Sequence, residues 1–162
     1  MKDKKLLFLA RGGMIAAIYV VLTYVFSAFS FGEIQVRVSE ALTVLPAFTL
    51  SAVPGLFVGC LIGNLLSGAV IWDVVFGSLA TLIGAFFTWT LRKAHPLLAP
   101  VPPIISNALI IPFVLRWAYG LATPIPLMML TVGVGEILSC GVLGMILYYA
   151  LRPHRETLFP DR

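Results

Sequence analysis

Four acidic side chains lie within an otherwise apolar sequence and are its best candidates for chemistry. Away from the two ends of the chain, these acids are Glu33, Glu40, Asp73 and Glu136. A carboxylate can accept two parallel N–H bonds from one planar group, as from a guanine-type edge, and a second carboxylate can pair with a cationic amine. These residue types therefore indicate a site for a flat ligand rich in hydrogen-bond donors.

Arginine, amide and aromatic side chains accompany the acids. Arg37 could pair with a carboxylate or contact a ring carbonyl, and Trp72 could stack on a ligand or belong to the aromatic belt of the membrane boundary. Asn64, in "GNLLSG", and Asn107, in "SNAL", could contact a ligand or join two helices by a hydrogen bond. The candidate substrate-binding residues are Glu136, Glu40, Arg37, Asn64, Asp73, Asn107, Trp72 and Gln35.

The composition places these residues in a membrane protein. The chain of 162 residues is 60% hydrophobic and 11% charged, and its mean hydropathy is +1.02. Soluble domains carry about 25% charged residues, so the solvent of this chain must be lipid. The net charge of +4 lies at the ends of apolar segments, which indicates topology and not a nucleic-acid partner. Cys60 and Cys140 lack metal-ligand spacing and are expected to be packing residues.

The sequence lacks the motifs that would give the chain its own chemistry or energy source. It contains no HExxH metal motif, no GxSxG nucleophile elbow and no Walker A loop. We therefore expect no enzyme activity, no bound metal or cofactor, and no ATP use by this chain itself.

The apolar runs predict an all-α membrane protein with six transmembrane helices in a single domain, residues 1–162. The predicted spans are residues 6–29, 39–51, 55–69, 72–91, 104–119 and 125–151. A five-span alternative would treat the second and third segments as one broken span.

The basic residues favour six spans. Nine of the eleven lysines and arginines then fall on one side, and Arg37 and Arg116 fall on the other. Because basic residues accumulate on the cytoplasmic side, both termini are predicted to be cytoplasmic. Glu136 would lie roughly 16 Å below the outer end of the last span. An ion pair of Glu136 with Arg37 or Arg116 is the structural alternative to ligand binding.

The passage "GEIQVRVSEALTVLP", residues 32–46, alternates polar and apolar residues at its start. This period predicts an extended segment over residues 33–38. Because a lipid-exposed strand cannot satisfy its backbone groups, we expect an outer lid over a cavity. Ser39 is the predicted N-cap of the second helix, with Glu40 in its first turn aimed into the pocket.

Small residues on the first segment could form a docking face. Gly12 and Ala16, and likewise Gly13 and Ala17, are four residues apart, a spacing that allows close contact between helices. The contact could be made with a partner subunit or with another helix of the same bundle.

Three passages together resemble the S components of energy-coupling factor (ECF) transporters, and more narrowly the QueT-type queuosine-precursor family. They are "GEIQVRVSEALTVLP", "GNLLSGAVIWDVVFGSLATLIGA" and "GVGEILSCGVLG", and the resemblance covers most of the chain. It implies a six-helix substrate-binding subunit in a prokaryotic plasma membrane. Such a subunit works with a transmembrane coupling subunit and with two ATPase subunits that use ATP.

The resemblance also implies a ligand and a docking motif. The ligand would be a 7-deazaguanine, such as the aminomethyl precursor preQ1 or queuine, bound in an extracytoplasmic pocket. The family's Ala-xxx-Ala motif on helix 1 is matched in part by Gly13 and Ala17, with glycine replacing one alanine, and the subunit would topple during transport. An S component for another vitamin and a small stand-alone carrier are the alternatives within transport. A membrane enzyme and a structural assembly subunit are the alternatives outside it.

Overall fold

The structure of the protein, a computed structural model, describes residues 2–27 and 36–159, and its regular elements there are all helices. The main helices are α1 Lys2–Val25, α2 Val38–Ala47, α3 Ala52–Leu66, α4 Ile71–Leu91, α5 Val101–Trp117 and α6, which comprises Ile125–Glu136, Ile137–Leu143 and Gly144–Leu151. Short 3-10 turns lie between α4 and α5, at Pro96–Leu98, and after α6, at Arg152–His154. A final helix, α7, spans Arg155–Leu158. The prediction of an all-α protein is confirmed for these residues.

The middle stretch of α6, Ile137–Leu143, is a π-helix. A π-helix closes its hydrogen bonds five residues apart, where an α-helix closes them four apart, and such stretches are frequent at functional sites. The stretch follows Glu136 directly and contains Ser139 and Cys140, which are both fully buried.

The second helix differs from the predicted one. α2 is a 3-10 helix of ten residues, and each residue from Ser39 to Pro46 is buried. It lies at the centre of the bundle, against α1, α3, α4 and α6. The apolar run that predicted a membrane-spanning helix over residues 39–51 is thus explained by contact with other helices.

The prediction that Ser39 is the N-cap of α2 is wrong. The helix begins at Val38, and Arg37 occupies the capping position with an extended backbone (φ −98°, ψ 102°) and no side-chain capping bond. The Ser39 hydroxyl instead accepts a hydrogen bond of 2.9 Å from Thr23 of α1, so it holds two helices together.

Contacts along the helices show that α1 and α2 are antiparallel whereas α1 and α3 are parallel. Thr23 contacts Ser39 near the start of α2, while Gly12, earlier on α1, lies beside Ser51, just after α2. On α3 the order is reversed, because Gly12 contacts Gly55 and Thr23 contacts Gly63. The chain therefore returns along the bundle between α1 and α3, and α2 is the element that makes this return.

The later helices continue to alternate in direction. Pairs that show this are Cys60 with Thr81, Asn64 with Gly77, Thr88 with Ala99, Ser106 with Ala80, and Ile104 with Gly141. We call the end of the bundle at the C-termini of α1, α3 and α5 the distal end. The opposite end, which carries the start of α1 and the end of α6, is the terminal end.

Among the described residues, four stretches are long and apolar enough to cross a bilayer: residues 4–25, 71–91, 96–117 and 125–158. The helices α2 and α3, with 10 and 15 residues, are shorter. The predicted boundaries agree most closely for α4 and α6, whereas α3 begins at Ala52 and α5 at Val101, each three residues before the predicted start.

Glycines let α1 and α3 approach each other closely. A Cβ atom added at Gly59 would lie 2.8 Å from the Tyr19 Cβ and 3.0 Å from the Ala16 backbone, and one added at Gly55 would lie 2.6 Å from the Gly12 carbonyl oxygen. These separations are too short for any side chain, so the interface depends on glycine. Gly12 and Ala16 are buried in it, while Gly13 and Ala17 are exposed on the other side of α1.

Candidate functional site

An ion pair near the distal end joins the segment before α2 to the first turn of α4. The Arg37 guanidinium lies 3.4 Å from the Asp73 carboxylate, and both side chains are almost completely buried. The Tyr119 hydroxyl donates a hydrogen bond of 3.1 Å to the same Asp73 oxygen. This arrangement realises one of the two predicted roles of Arg37, pairing with a carboxylate.

The protonation of this group follows from its surroundings. Burial opposes the charged guanidinium, but the neighbouring acidic groups, Asp73 first among them, together more than offset it and raise the pKa of Arg37 above its ordinary value. Partial burial raises the pKa of the Tyr119 phenol, and the Asp73 charge raises it further. Arg37 is therefore a permanent cation and Tyr119 a permanent donor to Asp73.

A second polar cluster contains two acids, Glu40 of α2 and Glu136 of α6. The Tyr19 hydroxyl of α1 donates a hydrogen bond to Glu40, and the Cys140 thiol donates one of 3.1 Å to Glu136. One carboxylate oxygen of Glu40, one of Glu136 and the sulfur of Cys140 all lie within 4.8 Å of one another. The structure thus brings together two acids that are 96 positions apart in the sequence.

Several polar atoms around these acids are buried and, among the described residues, have no hydrogen-bond partner. They are Oε2 of Glu40, both amide atoms of Asn107 and the hydroxyl of Ser139. Asn107 of α5 lies beside both Glu40 and Glu136, yet its amide makes no hydrogen bond within normal limits. An unsatisfied buried polar atom costs about 1–3 kcal/mol, so the concentration of such atoms here makes this cluster the candidate site.

Gly77 of α4 lies close to both Asn64 and the ion pair of Arg37 and Asp73. A Cβ atom at Gly77 would lie 3.2 Å from the Asn64 amide nitrogen, 3.3 Å from Asp73 Oδ1 and 3.8 Å from the Arg37 guanidinium. Asn64 is buried, and its amide donates to the sulfur of Cys60 at 3.5 Å. Asn64 and Asp73 therefore both border Gly77, and glycine leaves the space for them.

Ion pairs between described residues join Arg37 to Asp73 and Arg155 to Glu156, and neither involves Glu136. Arg116, the other predicted partner of Glu136, is exposed and donates a hydrogen bond of 2.9 Å to the Leu121 carbonyl. Among the described residues, Glu136 therefore does not form the ion pair with Arg37 or Arg116 that was the structural alternative to ligand binding.

Trp72 is not brought to this cluster. Its side chain is 57% exposed and stacks on Phe76, with ring centroids 6.1 Å apart. Both rings line a groove of about 710 Å³ between α4 and α5, together with Ile83, Phe113 and Trp117. The groove is almost entirely apolar, which fits the aromatic-belt alternative. Gln35 and Glu33 lie outside the described residues, as does the first half of the predicted lid.

Sequence reasoning missed several residues of the cluster. Tyr19 lies in an apolar helix with no pattern that marks it, and Cys140 was expected to be a packing residue, although it bonds to Glu136 and accepts from Thr43 at 3.3 Å. Tyr119 and Gly77 acquire their roles from long-range contacts. A signal for Gly77 exists in hindsight, since it lies one helical turn after Asp73 on α4.

A metal ligand set is the other reading of the Glu40, Glu136 and Cys140 cluster. Zinc sites use thiolates, histidines and carboxylates, with four ligands in structural sites and three plus water in catalytic ones. Here the thiol serves as a hydrogen-bond donor to Glu136, and the neighbouring groups are the amide of Asn107 and the hydroxyl of Tyr19. The surroundings suit an organic ligand with N–H donors better than a metal ion.

Together, the fold and the site define a helical membrane protein that buries a carboxylate and amide site between its helices. Residues 9–153 match the QueT transporter family, and the chain belongs to that family. A relative, the queuosine precursor transporter QueT of Lactococcus lactis subsp. cremoris (strain MG1363), is 39% identical over 85 residues. The match covers 51% of this chain and 50% of the relative, so the chain spans about half the length of that protein. No solved structure matches the chain.

Proposed function

We propose that this protein is the substrate-binding S component of an ECF importer and that its ligand is a queuosine precursor. The observation that carries this proposal is the buried cluster of Glu40, Glu136 and Asn107, which holds acceptor and amide atoms without partners among the described residues. The N–H groups of the guanine-like edge or of the amine of a 7-deazaguanine would donate to the two carboxylates, and the Asn107 amide would meet a ring acceptor or donor. Membership in the QueT transporter family supports a transport role over an enzymatic one.

The remaining predicted site residues would form one wall of the pocket. Asp73 uses Oδ2 for Arg37 and Tyr119, while its Oδ1 has no partner among the described residues. Asn64 lies next to that oxygen across Gly77. In this arrangement Arg37 fixes the charge of Asp73, and Asp73 and Asn64 complete the ring contacts.

In the membrane, all six main helices would cross the bilayer with the distal end outside. The alternating helix directions support this, because they place the start of α1 and the end of α6 at the same end. The terminal end carries Lys4, Lys5, Arg11, Arg92, Lys93, Arg152 and Arg155, and basic residues accumulate on the cytoplasmic side. The short α2 would span about 20 Å, which is tolerable because the surrounding helices cover it.

Energy would come from partner subunits. The exposed side of α1 carries Gly13 and Ala17, with Leu6 and Leu9 each 68% exposed on the same helix. This face would dock against a transmembrane coupling subunit, and two ATPase subunits would hydrolyse ATP. The chain itself would bind no cofactor.

A binding assay with the purified full-length protein tests the ligand. We expect 7-aminomethyl-7-deazaguanine to bind at least about tenfold more tightly than riboflavin or biotin, a difference of about 1.4 kcal/mol. Glu136→Gln should weaken this binding, whereas Glu156→Gln, at an exposed position, should not. Equal affinity for all three compounds would refute the ligand assignment.

Reconstitution tests the coupling. Uptake into proteoliposomes should require the coupling subunit, the ATPases and ATP. Uptake by this chain alone would show instead that it is a stand-alone carrier.

A further inference from the structure

The buried charges of the described residues do not balance. The buried charged residues are Arg37, Glu40, Asp73 and Glu136, so one positive charge faces three potential negative charges. Arg37 is paired with Asp73. Glu40 and Glu136 would add an excess of two negative charges if both were ionised.

These two acids are too close together to be ionised independently. One carboxylate oxygen of Glu40 lies within 4.8 Å of one carboxylate oxygen of Glu136, and both side chains are at most 3% exposed. Like charges at this separation repel strongly where water is excluded, and two carboxylates that share a site commonly hold one proton between them. Tyr19 and Cys140 donate hydrogen bonds to the pair but bring no positive charge.

Among the described residues, the other elements packed against the pair bring no further balancing cation. The titratable and charged groups that face it are Tyr19 of α1, Arg37 before α2, Cys60 of α3 and Cys140 of α6, while α4 and α5 contribute the neutral Thr81 and Asn107. A positive ligand would therefore meet an unmatched negative charge.

We propose that the site binds its ligand as a cation and exchanges the proton shared by Glu40 and Glu136 for the ligand's ammonium group. This inference rests on the proposed function and adds the charge of the ligand and the proton balance of binding. The shared proton leaves to the solution as the ammonium group takes its place between the two carboxylates. No covalent bond to the ligand forms or breaks.

Calorimetry of the wild-type protein tests the exchange without relying on a variant. The probe is 7-aminomethyl-7-deazaguanine, whose primary amine is charged at neutral pH, as lysine is. The control is the 7-cyano analogue, which has the same ring and a neutral substituent. Titrations in two buffers of different ionisation enthalpy give the number of protons released per ligand bound.

We expect the release of up to about one proton per aminomethyl ligand, and an affinity that rises by up to about tenfold per pH unit while the shared proton is present. The cyano analogue should bind at least about tenfold more weakly and release no proton. Binding of the aminomethyl compound without proton release, or equal affinity for the two compounds, would overturn the exchange and leave the proposed function standing. Failure of both compounds to bind would overturn the proposed function itself.

Glu136→Gln gives a second measurement. With one carboxylate removed, no proton is shared, so the variant should release markedly less than the wild type. A variant that binds the aminomethyl compound and releases the same number of protons would contradict the inference.

Discussion

The hydroxyl of Tyr19 donates a hydrogen bond to the Glu40 carboxylate and joins the middle of α1 to the first turn of α2. Both residues are at most 1% exposed, so water cannot replace this bond if it is lost. Tyr19→Phe should therefore lower the free energy of unfolding by about 1–3 kcal/mol. Tyr24→Phe, on the same helix but 61% exposed, should have little effect. The melting temperatures of both variants in detergent check this, and equal values would contradict it.

The buried ion pair should matter much more than the exposed one. Arg37→Met leaves Asp73 as a buried carboxylate, and the expected loss is about 3–5 kcal/mol. Arg155 and Glu156 lie 3.9 Å apart at the surface, so Arg155→Met should cost less than about 1 kcal/mol. Adding Asp73→Asn to Arg37→Met should restore part of the lost thermal stability. If the double variant were less stable than Arg37→Met alone, Asp73 would not be the group that Arg37 neutralises.

Gly77→Ala should disturb the wall formed by Asn64, Asp73 and Arg37. Its new methyl group would lie 3.2–3.3 Å from the Asn64 amide nitrogen and Asp73 Oδ1, and overpacking of this kind costs about 1–3 kcal/mol. Gly133→Ala is the matched control, because the nearest atom would lie at 3.9 Å, an ordinary contact. Thermal unfolding of the two variants gives the comparison. If the Gly77→Ala protein were as stable as Gly133→Ala, then Asn64, Asp73 and Arg37 could shift to accommodate the methyl group, and the expectation would be wrong.

Substitution by leucine should lower uptake at Gly13 but thermal stability at Gly12, although the two glycines are adjacent on α1. Gly13→Leu adds a side chain where nothing lies within 4 Å, so folding and ligand binding should persist. If this face docks the coupling subunit, ATP-driven uptake should fall at least about tenfold. Gly12→Leu should lower the melting temperature, because a Cβ there would already lie 3.1 Å from the Ser51 carbonyl oxygen. Wild-type uptake by Gly13→Leu would exclude this face from docking.

Much of the site could be predicted because charged residues are rare in this sequence. An acid within an apolar helix is costly unless it faces the interior, and this argument alone selects Glu40, Asp73 and Glu136, all of which are buried. Trp72 shows where the reasoning stops. An aromatic residue near a helix end fits a ligand contact and a lipid contact equally well, and the direction of its ring depends on the packing of α4 against α5.

The nature of α2 could not be predicted for a different reason. A run such as "ALTVLPA" is equally apolar whether lipid or protein surrounds it, and periodicity cannot separate the two in a short segment. Likewise, the hydrogen bond between Tyr19 and Glu40 depends on the antiparallel alignment of α1 and α2, which no local pattern encodes. Contacts between residues far apart in the sequence are therefore the part of the fold that could not be predicted.

The π stretch of α6 sets the alignment of that helix with α2. Glu136, Cys140, Gly144 and Tyr148 each contact α2 or the residue that follows it, through Glu40, Thr43, Val44 and Phe48. This is a repeat of four residues, and in a pure α-helix each step would turn away from α2 by about 40°. The wider turn absorbs that drift, so α6 holds one straight seam from the acid pair to the aromatic contacts near the terminal end. Loss of a single residue within 137–143 would let this stretch close as an ordinary α-helix, and Glu136 and Tyr148, brought one position nearer in the chain, would still lie within about 20° of one face.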